Sequence, residues 1–282
     1  MCNRCGCNVT AGNRHLLERP LGDGVDLSQP LAVLNSLLDG NDRQARLNRA
    51  RLDAARVLTI NLMSSPGSGK TALLEATIRK LQGHLRIGVI EGDLETENDA
   101  DRIRALGVVA HQITTGTACH LDAHLVEGAF RYIDPADFDI LFIENVGNLV
   151  CPASFDLGHH RNVALLSVTE GDDKPAKYPV MFRAADLMVL SKEDLLQYLP
   201  EFSPSKAEGC LRRLASSAPV IRLSARSGEG IDAWTSWLLS ELAAYRALLD
   251  AGRSLSPRVD DEGRRLHAPA ADYTFRPGSA VR

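Results

Sequence analysis

Residues 57-VLTINLM-63 run directly into 64-SSPGSGKT-71, and 72-ALLEATIRKL-81 follows. The first piece is a short apolar run of buried-strand type, and the last repeats its apolar residues at helical spacing. Between them lies a Gly/Ser turn closed by Lys-Thr, the strand–loop–helix context of a phosphate-binding loop. In that reading Gly67, Ser68 and Gly69 turn backbone N–H groups around a β-phosphate, and the new helix offers its positive end to the same anion. Lys70 reaches the β- and γ-phosphates, and the Thr71 hydroxyl serves Mg2+. Ser64 stands where such loops usually begin with glycine.

Apolar runs alternate with helical stretches on either side of this loop. The runs are 57–63, 85-LRIGVIEGD-93, 108-VVAHQI-113, 139-DILFIENVG-147, 162-NVALLSVT-169, 185-ADLMVLSKED-194 and 219-PVIRLSA-225. Helices are expected at about 70–82, 97–106, 119–131, 175–184, 204–214 and 230–249. This alternation predicts an α/β fold, a mainly parallel sheet covered by helices on both faces, with sites at the carboxyl ends of the strands. Residues 28–56 read as a helical lead-in of two short helices interrupted at Gly40-Asn41, with Arg43, Arg46, Arg49 and Arg51 on a solvated face. Residues 57–250 are expected to form the nucleotide domain, 1–27 a flexible arm, and 251–282 a disordered tail.

With 282 residues the chain has length for roughly two domains or one large extended one. Apolar residues make up 44%, enough for a core, and the net charge of −4 excludes a global basic field for nucleic acid or anionic membrane. No apolar run reaches the roughly 18 residues of a membrane span, and the amino terminus lacks a signal-peptide core. Six cysteines are too sparse for a disulfide scaffold, which points to a reducing cytoplasm.

Two segments bear on the base of the nucleotide. In 191-SKED-194, where guanine-specific GTPases carry Asn-Lys-x-Asp, Asp194 is placed to accept from guanine N1 and N2. Lys192 would lay its stem over the purine, and Ser191 departs from the usual Asn. Ser224 and Ala225 begin a 224-SAR-226 loop that would meet the guanine O6. Strand 139–147 ends in Glu144, in the place of a switch acid, and Gly147 could offer its N–H to a γ-phosphate. Asp93 and Asp99 lie on the opposite switch; one would help hold Mg2+ and the other orient the attacking water, unless both are surface acids at a helix start.

Soft ligands form two constellations. In 119-CHLDAHL-125, read as the start of a helix, His120 and His124 are four apart and share a face, and Cys119 sits at the positive end. Cys151, four residues beyond Gly147, is the natural further ligand for Zn2+ or Ni2+. At the amino terminus Cys2, Cys5 and Cys7 form C-x-x-C-x-C near the α-amine, a donor set for square-planar Ni2+ or tetrahedral Zn2+. Cys210 reads as an ordinary half-buried residue.

Taken together, MCNRCGC, 64-SSPGSGKT-71, 91-EGDLETENDA-100, 115-TGTACHLDAHLV-126, 142-FIENVGNLVCPASFDLG-158, 167-SVTEGDDKPAKYPVMF-182 and 191-SKEDLL-196 resemble the HypB family of nickel-insertion GTPases in nickel–iron hydrogenase maturation. The similarity covers about residues 28–245 and the first seven. The urease relatives, UreG, share the phosphate loop but lack the ENVGNLVCP and TEGDDKP segments. The resemblance implies a SIMIBI-class GTPase that dimerises with GTP and hydrolyses it slowly to GDP. It implies tight nickel binding at Cys2, Cys5 and Cys7, and a nickel or zinc site at Cys119, His120 and Cys151 with His124 added. It also implies partners: a HypA-like nickel accessory protein, the hydrogenase large subunit and SlyD. With only His15 between residues 8 and 56, a storage role is not expected. A metal buffer and a P-loop kinase stand as alternatives, the latter separable by competing GTP against ATP.

Overall fold

A computed structural model of the chain describes residues 28–93, 97–116, 118–214 and 216–257. The cysteine arm at Cys2, Cys5 and Cys7 and the tail beyond residue 257 lie outside the described residues.

All seven expected runs are strands. They are β1 (Leu58–Met63), β2 (Ile87–Asp93), β3 (Val109–Thr114), β4 (Ile140–Glu144), β5 (Arg161–Ser167), β6 (Leu187–Ser191) and β7 (Val220–Arg222). They pair in the order β3-β2-β4-β1-β5-β6-β7, and every pairing is parallel. The helices are α1 (Ser28–Ala54), α2 (Lys70–Leu81), α3 (Asn98–Arg104), α4 (Ala123–Ala129), α5 (Lys174–Lys177), α6 (Pro179–Ala184), α7 (Pro204–Arg213) and α8 (Ile231–Asp250).

Strand periodicity divides the core into two faces. Leu58, Ile60, Leu62, Ile140, Phe142, Val163 and Leu165 point to one side, where α2 and α8 bring Leu73, Leu74, Ile78, Trp234 and Leu238. Leu141 and Ile143 point to the other, with Leu52 of α1 and Val126 of α4, while Ala164 and Leu166 meet Met181 and Phe182 of α6. Trp234 is fully buried, and its indole N–H donates to Thr77 Oγ1 at 2.8 Å, which satisfies the one polar group of that ring.

Five expectations about local structure are corrected. Helix α1 is a single helix; Gly40-Asn41 does not break it, because Asn41 is 4% exposed and its amide is engaged on both sides. Of the four arginines, Arg49 is not solvated but pairs with Asp156 at 2.7 Å. The helix expected at 119–131 starts only at Ala123, with Asp122 as its cap accepting from Leu125 N. The start of the carboxyl-terminal tail packs: Ser254 Oγ donates to Asp53 Oδ1 at 2.8 Å, Leu255 touches the core and Pro257 is buried. Cys210 is buried rather than half-buried.

Candidate functional site

The loop after β1 turns through positive φ at Gly67 (72°) and Gly69 (99°), which glycine adopts without strain. Lys70 and Thr71 open α2 and are both 7% exposed. The Lys70 ammonium donates to Ser64 Oγ at 3.0 Å, and Ser68 Oγ donates to the same oxygen. The serine in place of the first glycine is thus a buried acceptor that holds the lysine inside the loop.

Three carboxylates converge beside that loop. Glu91 from β2, Glu144 from β4 and Asp99 from α3 bring oxygens within 4.8 Å of one another. The parallel register sets Glu91 directly beside Glu144, so both acids leave the same face of the sheet. Thr71 Oγ1 donates to Glu144 Oε1 at 2.9 Å. Glu91 Oε2 and Glu144 Oε2 are buried with no hydrogen-bond partner. Burial, reinforced by the Glu144 charge, pushes the Glu91 carboxyl up to about 8. Burial pushes Glu144 up to about 7 against the opposing pull of Lys70 and Thr71. Orphaned carboxylate oxygens beside a threonine hydroxyl form a hard-donor set that fits Mg2+.

Asp93, Asp99, Lys70, Thr71, Glu144 and Gly147 share a cavity of about 340 Å3. Asp99 also accepts from Arg102 at 2.7 Å, which aims its carboxylate along α3. Gly147 lies hard against the phosphate loop: a Cβ there would stand 2.9 Å from the backbone of Pro66. Sequence reasoning missed Glu91. Its signal was an acid inside the otherwise buried run 87-IGVIEGD-93.

A second cavity of about 300 Å3, lined by Gly69, Lys192, Asp194, Ser224 and Ala225 among others, adjoins the loop on the β6–β7 side. Lys192 has φ 60° and donates from Nζ to Gly67 O at 2.6 Å, which lays its stem across the loop. Ser191 Oγ donates to Ser68 O at 2.7 Å, so the residue that replaces Asn still ties β6 to the phosphate loop. Ser224 is buried and accepts from Ser227 N at 3.1 Å, which shapes the following loop.

Cys119, His120 and Cys151 bring one ligand atom each within 4.8 Å of one another. The Sγ atoms of Cys119 and Cys151 are 3.3 Å apart, beyond a disulfide bond and within the reach of one shared ion. Cys119 Sγ lies 3.6 Å from His120 Nδ1, and the His120 ring stacks on Phe155 with centroids 3.9 Å apart. His124 is not brought to this group. Because α4 starts after His120, the two histidines do not share a helix face, and His124 is exposed.

Two asparagines join this cluster to the carboxylate cavity. Asn145, beside Glu144, accepts from Leu121 N at 3.2 Å, and Asn148 Nδ2 donates to Cys119 O at 3.1 Å. The chain from Glu144 through Gly147 to Cys151 is therefore fastened at both steps to the segment that carries Cys119 and His120.

A family model described as "CobW/HypB/UreG, nucleotide-binding domain" matches residues 58–222. The hydrogenase maturation factor HypB of Azotobacter chroococcum is 52% identical over 238 residues, 84% of this chain and 78% of the relative. That of Escherichia coli K12 is 52% identical over 221 residues, 78% of this chain and 76% of the relative. Among solved structures, HypB from Helicobacter pylori in complex with nickel superposes with a TM-score of 0.70 at 42% identity, covering 73% of this chain and 96% of that one.

Proposed function

The chain belongs to the CobW/HypB/UreG family and, within it, to the HypB hydrogenase maturation factors, and from that premise we propose that it is a GTP-hydrolysing nickel metallochaperone. Its cargo is Ni2+, with Zn2+ as the alternative occupant, held at Cys119, His120 and Cys151. Delivery is to the hydrogenase large subunit, with a HypA-like accessory protein and SlyD as nickel partners and a homodimer as the GTP-bound form. Cys2, Cys5 and Cys7 supply a further nickel site.

The reading rests on one observation: Cys151 sits on the chain that runs from Glu144 past Gly147, and Asn148 ties that chain to Cys119. Bound Mg2+ would be held by Thr71 and Glu144, with Glu91 and Asp99 beside them, and would neutralise charge on the phosphates. Lys70 stabilises the charge that develops as the γ-phosphate departs, and Asp93 or Asp99 orients the attacking water. Gly147 donates its N–H to the γ-phosphate and is released when that group leaves. The segment through Asn148 to Cys151 then shifts, and the sulfur donors separate. Lys192 and Asp194 select guanine in the neighbouring cavity.

Equilibrium dialysis of nickel tests this, using the chain with Cys2, Cys5 and Cys7 replaced by Ser. The affinity should differ at least several-fold between the GDP form and a non-hydrolysable GTP form, and Cys151→Ala should abolish both binding and difference. Equal affinities in the two forms would overturn the coupling. ATP competing as well as GTP would overturn the base assignment.

A further inference from the structure

Helix α1 buries a stripe made of Asn41, Ala45, Asn48 and Leu52, spaced four, three and four residues apart. Asparagine is an unusual choice for such a stripe, since a buried amide must find partners for its N–H2 and its oxygen. Here both amides find them on the same two segments. Asn41 Nδ2 donates to Asp156 O at 2.9 Å, and Asn41 Oδ1 accepts from Ala123 N at 2.9 Å. Asn48 Nδ2 donates to Ala123 O at 2.7 Å and to Leu157 O at 3.0 Å. Gln44 donates to Asn48 Oδ1 at 2.9 Å, which fixes the amide in that orientation. Arg49 adds two bonds to the Asp156 carboxylate, at 2.7 and 2.8 Å, and reaches His159 O.

These two segments are the ones that carry the metal cluster. Ala123 follows His120 by three residues, and Asp156 follows Phe155, the ring stacked on His120. A single amide therefore bridges the chain beyond His120 to the chain beyond Cys151, and α1 does this twice. The approach is close: a Cβ on Gly158 would stand 2.5 Å from Asn48 Cβ and 2.7 Å from Ala45 O.

We propose that Asn41 and Asn48 are positioning residues of the Cys119–His120–Cys151 site, setting the spacing of its two loops so that helix α1 determines how tightly the site holds its ion. The inference rests on the reading of that cluster as a metal site. Ligands held in place before binding lose less freedom when the ion arrives, and groups behind the ligands commonly tune metal affinity 10- to 100-fold.

The test uses the full chain with Cys2, Cys5 and Cys7 replaced by Ser, titrated with Ni2+ and followed by thiolate-to-nickel absorption. Binding of a fluorescent GDP and a thermal melt are recorded beside it. Asn48→Ala and Asn41→Ala are expected to weaken nickel about 10- to 100-fold while GDP affinity stays within about twofold. Asn48→Asp keeps the shape and loses both donations, so it should reproduce the loss even if Asn48→Ala fails to fold. Arg49→Lys, which keeps the charge but not the fork, should give a smaller loss. Folded variants that bind nickel as the parent does would overturn the inference. A parent with no thiolate-to-nickel absorption would instead overturn the metal reading on which it stands.

Discussion

Glu91 shows at the residue scale what a pattern reading passes over. The apolar residues of 85-LRIGVIEGD-93 mark a strand, yet its acid Glu91 is 2% exposed beside Glu144, with one oxygen unpaired. An acid is invisible to apolar periodicity, and its partner is contributed by a strand far away in sequence. Glu91→Gln keeps the volume and removes the carboxyl that a bound cation would draw into its ionised form. It should weaken Mg2+-dependent nucleotide binding about tenfold or more, read by titrating Mg2+ against a fluorescent GDP, while binding without Mg2+ is little changed. Gly147→Ala tests the close approach to Pro66. Its methyl must push the switch off the phosphate loop, so GTP turnover should fall about 100-fold while GDP affinity holds. The loop residues Lys70 and Thr71 were legible because their motif is local. His124 was misplaced because helix periodicity was extended one turn too early, past the Asp122 cap that begins α4.

At the scale of elements, all seven strands were legible, since each is a short apolar run with punctuation at its ends. Helix α1 was not. Gly-Asn is a turn signal in isolation, but Asn41 faces Ala123 and Asp156, and those contacts override the local preference for a break. Sequence gives the asparagine and not what it will meet. Leu52, fully buried on the same helix, packs with Leu121, Val126 and Leu157. Leu52→Ala should cost about 2–5 kcal/mol of stability, measured by urea unfolding, because the cavity opens between α1 and the sheet.

For the whole molecule, the buried pair His159 and His160 sets an acid limit. His159 Nε2 lies 2.7 Å from Asn162 Oδ1, and His160 Nδ1 accepts from Thr59 N at 2.9 Å. Burial holds His159 down to about 4 and lowers His160 as well. Between pH 6.5 and about 4 the unfolded chain takes up the His159 proton and the native one does not, so stability falls as pH falls, by up to about 1.4 kcal/mol per unit for that residue. Unfolding midpoints in urea between pH 7 and 4.5 should decline, and His159→Gln should flatten that decline. The same long-range architecture joins the carboxylate cavity and the cysteine–histidine cluster through one short segment, residues 144–151. Single-turnover mixing tests that arrangement most directly, with phosphate release and nickel capture by a chromophoric chelator followed in the same nickel- and GTP-loaded sample. The account predicts one shared rate constant, with both events lost in Lys70→Ala. Nickel leaving equally fast from the complex with a non-hydrolysable GTP analogue would contradict it.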